Sequence, residues 1–296
     1  MQGCWLYNMD CAEGLKTIVK AESIDLIIAD PPYFKVIGEK WDHQWKTLDD
    51  YILWSNKWIK EAVRVLRKGG TFYLFGYFRM LCHLVPILER EGLEIRQQII
   101  LNKGMQAVAG RATKKYKMFP NVTESILFCV KDSKPFIKQF LRKRQADLGY
   151  TSKYINEALG VKSNGGGMWS IYTGKNICEQ LPTKELWDRL SEVLKFDLPY
   201  NKIAQTYHAQ LGLTDVWDDI NFYNEKDRIH PTQKPKTLIE RLIFASSSDG
   251  NLVLDPFMGS GIVAVVCKEQ NRCYVGFEID QRYFEKVQTK LGGGNH

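Results

Sequence analysis

The sequence has few of the features that mark secreted, membrane-bound or metal-stabilised proteins. Its seven cysteines are scattered and no two are spaced as Cys-x-x-Cys, so neither a zinc site nor a disulfide framework is indicated. No apolar run approaches the length of a membrane span, and the first residues lack a basic segment followed by an apolar one. We therefore expect a soluble cytoplasmic protein with no metal site and no membrane contact.

The composition is that of a folded protein with a modest positive charge. Its 296 residues, 44% of them hydrophobic, are enough to build a sizeable core. The formal net charge of +7 favours a polyanionic partner such as a nucleic acid, although proteins of many other kinds carry a similar charge. The placement of the charges is therefore more informative than their total.

Short, almost wholly apolar runs bounded by turn residues recur along the chain, and such runs are typical of strands buried on both faces. They cover residues 24–29, 71–75, 99–101, 125–130, 252–254 and 273–277. Some of them are separated by stretches with helical periodicity, as at Trp54, Trp58 and Ala62. This alternation predicts an α/β fold with a mainly parallel sheet and helices on both of its faces.

The middle of the chain differs from the two ends. Residues 135–220 are polar and helix-like, carry basic clusters and contain the break Gly165-Gly166-Gly167. We interpret this region as a helical module inserted into the α/β domain, which is then formed by residues 1–134 and 221–296.

A rigid polar segment, Asp30-Pro31-Pro32-Tyr33, directly follows the apolar run 24–29. It therefore lies at the carboxyl end of a predicted strand, where open α/β sheets bind their ligands. The prolines stiffen the backbone, so that the Asp30 carboxylate and the Pro31 carbonyl can accept hydrogen bonds from an amino group while Tyr33 offers a ring for stacking. Such acceptors would help the exocyclic amine of a base to attack a methylsulfonium group. Taken alone, the segment also fits an ordinary turn.

A second motif, residues 255–261, links the predicted strand 252–254 to a helix-like run. The motif is glycine-rich, and a glycine-rich turn between strand and helix lets the backbone approach a ligand closely. The next strand ends at Glu278, about 20 residues after the glycines, which is the spacing of an acid that holds ribose hydroxyls. No Gly-Lys-Ser/Thr follows, which excludes a phosphate-binding P-loop. The pattern predicts a site for a nucleoside cofactor.

A third segment, His230-Pro231-Thr232-Gln233-Lys234-Pro235, lies just before this motif. It is placed to close over the same pocket, with Thr232 as a hydrogen-bonding group and Lys234 facing a carboxylate. A proline-rich entry into a helix is the alternative interpretation.

Together, and in their order along the chain, the three segments resemble the beta-class amino DNA methyltransferases, in which the catalytic motif precedes the cofactor motif. The resemblance implies a Rossmann-like methyltransferase fold with S-adenosylmethionine as methyl donor, a catalytic half at 1–134 and a cofactor half at 221–296. It assigns catalysis to Asp30, Pro31, Pro32 and Tyr33, and it places Asp10 of the segment Asn8-Met9-Asp10-Cys11 near the cofactor adenine. The cofactor-binding residues that it implies are Asp10, Thr232, Lys234, Asp255, Phe257, Gly259, Ser260, Gly261 and Glu278.

The resemblance also implies that the inserted module recognises the target DNA sequence. Residues 150–161 predict a capped helix and residues 181–190 another amphipathic helix, an arrangement similar to a repressor-type helix-turn-helix. A basic segment at 111–117 is suited to contact phosphates. A helical lid that does not touch bases is the alternative for the module. The expected DNA contacts are Arg111, Lys114, Lys115, Lys117, Lys162 and Trp169.

The expected activity is methylation of the N6 amine of an adenine flipped out of DNA. No proline is followed by cysteine, so the thiolate motif needed for carbon-5 methylation of cytosine is missing. Family members that act on the N4 of cytosine more often carry Ser in place of Asp30, which favours adenine and leaves N4 of cytosine as the alternative. Methylation of RNA or protein glutamine, and a DNA-binding regulator with an inactive methyltransferase body, are further alternatives. The expected partner is DNA, and a homodimer is left open.

Overall fold

The computed structural model describes residues 3–36, 42–108, 119–161, 167–174, 180–223, 230 and 232–292. The chain divides into two units. The first, called here the sheet unit, comprises Met1–Lys131 and Thr206–His296, and the second, the helical unit, comprises Asp132–Gln205.

The sheet unit is built around strands that come from both ends of the chain. They are β1 (Cys4–Asn8), β2 (Ile24–Ala29), β3 (Leu66–Gly76), β4 (Leu93–Asn102), β5 (Thr123–Lys131), β6 (Val216–Trp217), β7 (Leu252–Asp255) and β8 (Cys273–Glu278). Within the described ranges they form one eight-stranded sheet in the order β1-β8-β7-β2-β3-β5-β4-β6. All neighbours pair in parallel except β5, which is antiparallel to β3 and β4. The prediction of a mainly parallel α/β sheet is confirmed.

The helices alternate with these strands and also fill the middle of the chain. In chain order they are α1 (Cys11–Thr17), α2 (Leu48–Val65), α3 (Phe78–Arg90), α4 (Lys134–Leu148), α5 (Ser152–Ala158), α6 (Gly167–Tyr172), α7 (Lys184–Leu194), α8 (Lys236–Ser246), α9 (Ile262–Glu269) and α10 (Gln281–Lys290). In the ranges that the model describes, none of them is both long enough and apolar enough to cross a bilayer.

Alternating side chains of the central strands explain why the sheet carries helices on both faces. In β2, Ile27 and Ala29 belong to the same buried cluster as α1 and α2, whereas Leu26 and Ile28 pack in the cluster that contains α8 and α9. Successive side chains of a strand point to opposite faces, and both faces of β2 are apolar. Helices must therefore cover the sheet on both sides.

The helical unit has a core of its own. Ile137 and Leu141 of α4, Ile155 of α5, Trp169 of α6 and Leu190 of α7 are all buried in it. Two of its helices begin at a capping threonine, and the first of these caps falls in the helix that the sequence predicts to be capped. Thr151 accepts a hydrogen bond from the backbone N–H of Tyr154, and Thr183 accepts one from Leu186.

The sequence placed the end of the inserted module at residue 220, but residues 206–220 lie in the sheet unit. Val216 and Trp217 form β6, which pairs with Ile100 and Leu101 of β4. The backbone N–H of His208 donates to the carbonyl of Ala245 at the end of α8. A two-residue strand is too short to give an alternating pattern, which explains why the sequence did not reveal it.

Candidate active site

Three neighbouring parallel strands end at one cavity of about 300 Å³, a size typical of a small-molecule site. β2 leads into Asp30, β7 ends at Asp255 and β8 ends at Glu278. The carboxyl ends of parallel strands meet at the same edge of a sheet, where such folds bind ligands. The cavity is lined by every residue predicted for catalysis and for the cofactor except Gly261.

Glu278 and Asp255 make this cavity acidic. The carboxylate of Glu278 accepts hydrogen bonds from the backbone N–H groups of Gly259 and Asp280, each at 2.8 Å, while burial raises its pKa. Burial raises the pKa of Asp255 to about 8, and the negative charges of Asp30 and Glu278 contribute. Burial and mutual repulsion disfavour the ionised forms of both carboxyl groups. Such a pair suits a ligand that brings positive charge or donates hydrogen bonds.

The Asp30 carboxylate is held at both of its oxygens. Oδ1 accepts a hydrogen bond from the Tyr33 hydroxyl at 2.8 Å, and Oδ2 lies 2.8 Å from Nζ of Lys234. The Lys234 side chain is 9% exposed and pairs with carboxylates of the protein itself. The sequence predicted that Lys234 meets a carboxylate and binds the cofactor. Its pairing with the catalytic acid was not predicted, and its contact with the cofactor stays a prediction.

Tyr33 differs from its prediction as an open stacking surface. Its side chain is 8% exposed, and its ring meets the ring of Tyr77 edge to face at a centroid distance of 5.3 Å. The hydroxyl lies 2.5 Å from the carboxylate of Glu124 as well as within reach of Asp30. The ring borders the cavity, but most of the residue is buried and the ring packs against Tyr77, while the hydroxyl lies between two carboxylates.

Glu124 and Lys103 are site residues that the sequence reasoning missed. Glu124 is 1% exposed, lies 2.9 Å from Nζ of Lys234 and forms an ion pair with Lys103. Burial alone would raise its pKa, but the charges of Lys234 and Lys103 outweigh burial and lower it to about 2. Burial alone would lower the pKa of Lys234, but the negative charges of Asp30 and Glu124 outweigh burial and raise it.

The reversed direction of β5 brings Glu124 to this place. An antiparallel strand begins at the edge where its parallel neighbours end, so Glu124 at the start of β5 lies at the edge reached by the carboxyl end of β2. The sequence offered one signal, an acid at the start of an otherwise apolar strand. Burying an unpaired carboxylate is strongly unfavourable, so such an acid indicates a cationic partner.

The two glycines of the loop after β7 have different roles. Gly259 lines the cavity at φ +50°, and a Cβ placed there would meet no atom closer than 3.8 Å. Gly261 lies outside the lining at φ +68°, and its Cβ would come within 2.5 Å of Val287 on α10. The assignment of Gly261 to the cofactor stays a prediction, and the structure shows a packing role for it. This glycine allows the turn into α9 and the close packing of α10.

Two further predicted cofactor residues lie at the cavity with local partners. Thr232 Oγ1 is 3.0 Å from Nδ1 of His230, whose ring packs against Tyr283 at 4.4 Å. Asp10 caps α1 by accepting a hydrogen bond from the backbone N–H of Glu13 at 3.1 Å. In the part of the chain that the structure describes, no group of three or more His, Cys, Asp or Glu side chains is arranged to hold a metal ion.

Of the predicted DNA contacts, only Trp169 lies within the described residues; Arg111, Lys114, Lys115, Lys117 and Lys162 lie outside them. Trp169 is 1% exposed, and its indole N–H donates to Oε1 of Gln145 at 3.0 Å. This ring has no surface left for a base. Trp169 is a core residue of the helical unit, and its prediction as a DNA contact is wrong.

A family model described as "DNA methylase" matches residues 24–289. The type II methyltransferase M.HpaI of Haemophilus parainfluenzae is 28% identical over 292 residues, which cover 95% of this chain and 73% of that protein. The DNA adenine methyltransferase YhdJ of Escherichia coli strain K12 is 28% identical over 284 residues, covering 94% of this chain and 79% of that protein. Among solved structures, M1.HpyAVI in complex with SAM shares the fold, with a TM-score of 0.58 at 18% identity and coverage of 98% of this chain and 99% of that one.

Proposed function

The chain belongs to the DNA methylase family, and from that premise we propose that it transfers a methyl group from S-adenosylmethionine to the N6 amine of an adenine in DNA. The observation that carries the proposal is the single cavity shared by Asp30 to Tyr33 and by the Asp255 to Glu278 half of the sheet edge. The groups proposed to accept hydrogen bonds from the target amine thus lie next to the side of the cavity proposed to bind the nucleoside. The name of YhdJ, a DNA adenine methyltransferase, supports adenine as the target base.

The residues of the cavity fit S-adenosylmethionine. The carboxylate of Glu278 would hold the ribose hydroxyls, and Asp10 and Phe257 would border the adenine. The acidic wall suits a cation, and Asp255, whose pKa is raised to about 8, would ionise more readily beside one. When bound, the cofactor supplies an electrophilic methyl group on a positively charged sulfur.

The protein's own contribution to the reaction centres on Asp30. Its carboxylate and the carbonyl of Pro31 would accept hydrogen bonds from the two N–H groups of the target amine. This would expose the nitrogen lone pair to the methyl group. As the carbon–nitrogen bond forms and the carbon–sulfur bond breaks, positive charge develops on the nitrogen, and the negative charge of Asp30 stabilises it. The amine then loses one proton, for which the Asp30 carboxylate is the adjacent acceptor.

The activity can be tested with the purified full-length protein, radiolabelled S-adenosylmethionine and duplex DNA. We expect label in DNA as N6-methyladenine with the wild type, and no transfer with Asp30→Ala, which should still bind the cofactor because the Glu278 side of the cavity is unchanged. Strand-resolved sequencing of DNA from a methylation-free expression host would then identify the marked base. Label found only at the N4 of cytosine would support the alternative substrate instead.

The classes that do not involve DNA methylation give different results in the same assay. Transfer to RNA or to a protein glutamine with unlabelled DNA would replace the proposed function with one of those activities. Cofactor binding without transfer to any of these acceptors would indicate a DNA-binding regulator. Cofactor binding measured on the same wild-type sample separates these outcomes from an inactive preparation.

We further propose that the helical unit is the target-recognition module and that α4 contacts the DNA backbone. α4 carries five basic residues and one acidic residue, whereas α7, the second helix of the predicted helix-turn-helix, carries two basic and three acidic residues. Lys184 of α7 pairs with Asp188, and Arg189 donates to the carbonyl of Leu159. On α4, Lys134 pairs with Asp132 and Arg144 donates to the carbonyl of Leu194. Arg142 and Lys143 are exposed, and they are the cations of α4 best placed to meet phosphates.

Replacing exposed cations of the two helices tests this assignment. We expect Arg142→Gln/Lys143→Gln on α4 to weaken DNA binding and to reduce its salt dependence by about two phosphate contacts. Lys184→Gln on α7 is the matched control and should leave both quantities unchanged. Weakening by the control alone would assign the backbone contact to α7.

A further inference from the structure

Beside the cavity lies a closed cluster of two carboxylates and two ammonium groups. Lys234 is shared by Asp30 at 2.8 Å and Glu124 at 2.9 Å, and Lys103 pairs with Glu124 on its other side. The hydroxyl of Tyr33 lies within hydrogen-bonding distance of both carboxylates. The cluster therefore contains equal numbers of positive and negative charges.

The sharing of Lys234 has an electrostatic consequence for Asp30. A lysine bound to Asp30 alone would neutralise the negative charge of the carboxylate that is proposed to bind the amine. Because Glu124 takes part of the interaction with Lys234, Asp30 remains an acceptor for a developing positive charge. Lys103 in turn compensates the second carboxylate, which could not be buried without a partner.

We propose that Glu124 is a positioning residue for methyl transfer, which holds Lys234 and Tyr33 on Asp30 and cancels the charge of Lys234, with Lys103 as its counter-ion. This inference rests on the proposed function, because it assumes that positive charge develops at an amine beside Asp30. Glu124 itself is 1% exposed and is not among the residues that line the cavity, so it acts through the other members of the cluster.

The first test is Glu124→Gln in the full-length enzyme. The substitution preserves the shape of the side chain but leaves the cluster with an excess positive charge beside the reacting nitrogen. We expect kcat to fall about 10- to 100-fold, the effect of one charge acting over several ångströms at the effective dielectric of a partly buried site. The KM for S-adenosylmethionine and the affinity for its demethylated product should stay within about twofold of the wild type, because Glu278 and Asp255 are unchanged.

The decisive test is rescue by removal of the opposite charge. Adding Lys103→Met to Glu124→Gln makes the cluster neutral again, so the double variant should recover at least about half of the lost activation free energy. A purely structural Glu124 would show its coupling to Lys103 in the free energy of unfolding and not in kcat. The matched control is the exposed pair Lys236 and Glu269, 2.7 Å apart, where Glu269→Gln with and without Lys236→Met should leave kcat unchanged.

The possible results separate this inference from the proposed function. Wild-type enzyme that transfers no methyl group to DNA would contradict the proposed function itself. An active wild type with unchanged kcat in Glu124→Gln, or with a double variant slower than the single one, would overturn the positioning role. If Glu124→Gln is too unstable to purify, the double variant is measured alone. A folded and active double variant supports the positioning role, and a folded but inactive one overturns it.

Discussion

Glu278, the last residue of β8, accepts a hydrogen bond at 2.8 Å from the backbone N–H of Gly259 in the loop after β7. The acid proposed to hold the ribose is thus fixed directly to the glycine loop beside which the nucleoside would lie. The ends of β7 and β8 are therefore linked by a hydrogen bond, and a substitution at either end should weaken cofactor binding.

Glu278→Gln should weaken binding of S-adenosylmethionine by about 10- to 100-fold, because hydrogen bonds to a charged acceptor are worth about 1.5–3 kcal/mol. Isothermal titration calorimetry measures the affinity. Glu285→Gln on the exposed side of α10 is the control and should bind normally. Loss of affinity in both variants would assign the effect to α10 rather than to the carboxylate of Glu278.

Asp255→Asn should change the pH dependence of stability. The pKa of Asp255 is raised from 3.8 to about 8, so between these values the folded protein holds a proton that the unfolded chain has lost. The contribution of this group to stability therefore falls as the pH rises through that window. In thermal unfolding, the Tm of the variant relative to that of the wild type should rise from pH 5 to pH 9. A Tm difference that is independent of pH would contradict this prediction.

Gly261→Ala should destabilise the protein by about 2–3 kcal/mol without changing cofactor affinity, because the added Cβ meets Val287 and the backbone has a positive φ. Gly149→Ala is the matched control, since Gly149 has φ +65° and no atom within 4 Å of its Cβ. It reports the backbone strain alone. Urea unfolding of both variants gives the cost of the clash, and equal losses would show that Val287 contributes none.

Trp169→Phe should lower the stability of the helical unit by about 2 kcal/mol, because it removes the hydrogen bond to Gln145 and leaves a gap in a packed core. DNA affinity and its salt dependence should be unchanged at temperatures where the unit is folded. Tyr154→Phe, at a 47% exposed ring, is the control for loss of a polar group. A selective loss of DNA affinity in Trp169→Phe would restore this residue as a contact.

Much of the site could be predicted because its chemistry is local in sequence. Asp30 and its prolines follow a buried strand directly, and Glu278 ends the strand that follows the glycine loop, so strand prediction alone brings them to one edge of the sheet. The resemblance to amino DNA methyltransferases, drawn from the same segments, is confirmed by the family match.

The rest depended on long-range packing that no local pattern records. Glu124 faces Tyr33 across 91 residues only because β5 runs against its neighbours. The ring of Tyr33 packs against Tyr77, and the packing of α10 against Gly261 gives that glycine a structural role. Trp169 looked like a recognition residue because aromatic side chains suit both cores and bases, and only the position of Gln145 decides between them.

The reversal of β5 also means that Glu124 and the cofactor-binding segments reach the cavity from different parts of the chain. The chain that delivers Glu124 approaches the catalytic edge from a connection that carries neither Asp30 nor Glu278. Libraries built at the entrance to β5 would therefore sample the electrostatics of methyl transfer while leaving the cofactor half intact. Turnover could be selected in such libraries at constant S-adenosylmethionine affinity, which is a practical route to faster or slower enzymes with unchanged cofactor demand.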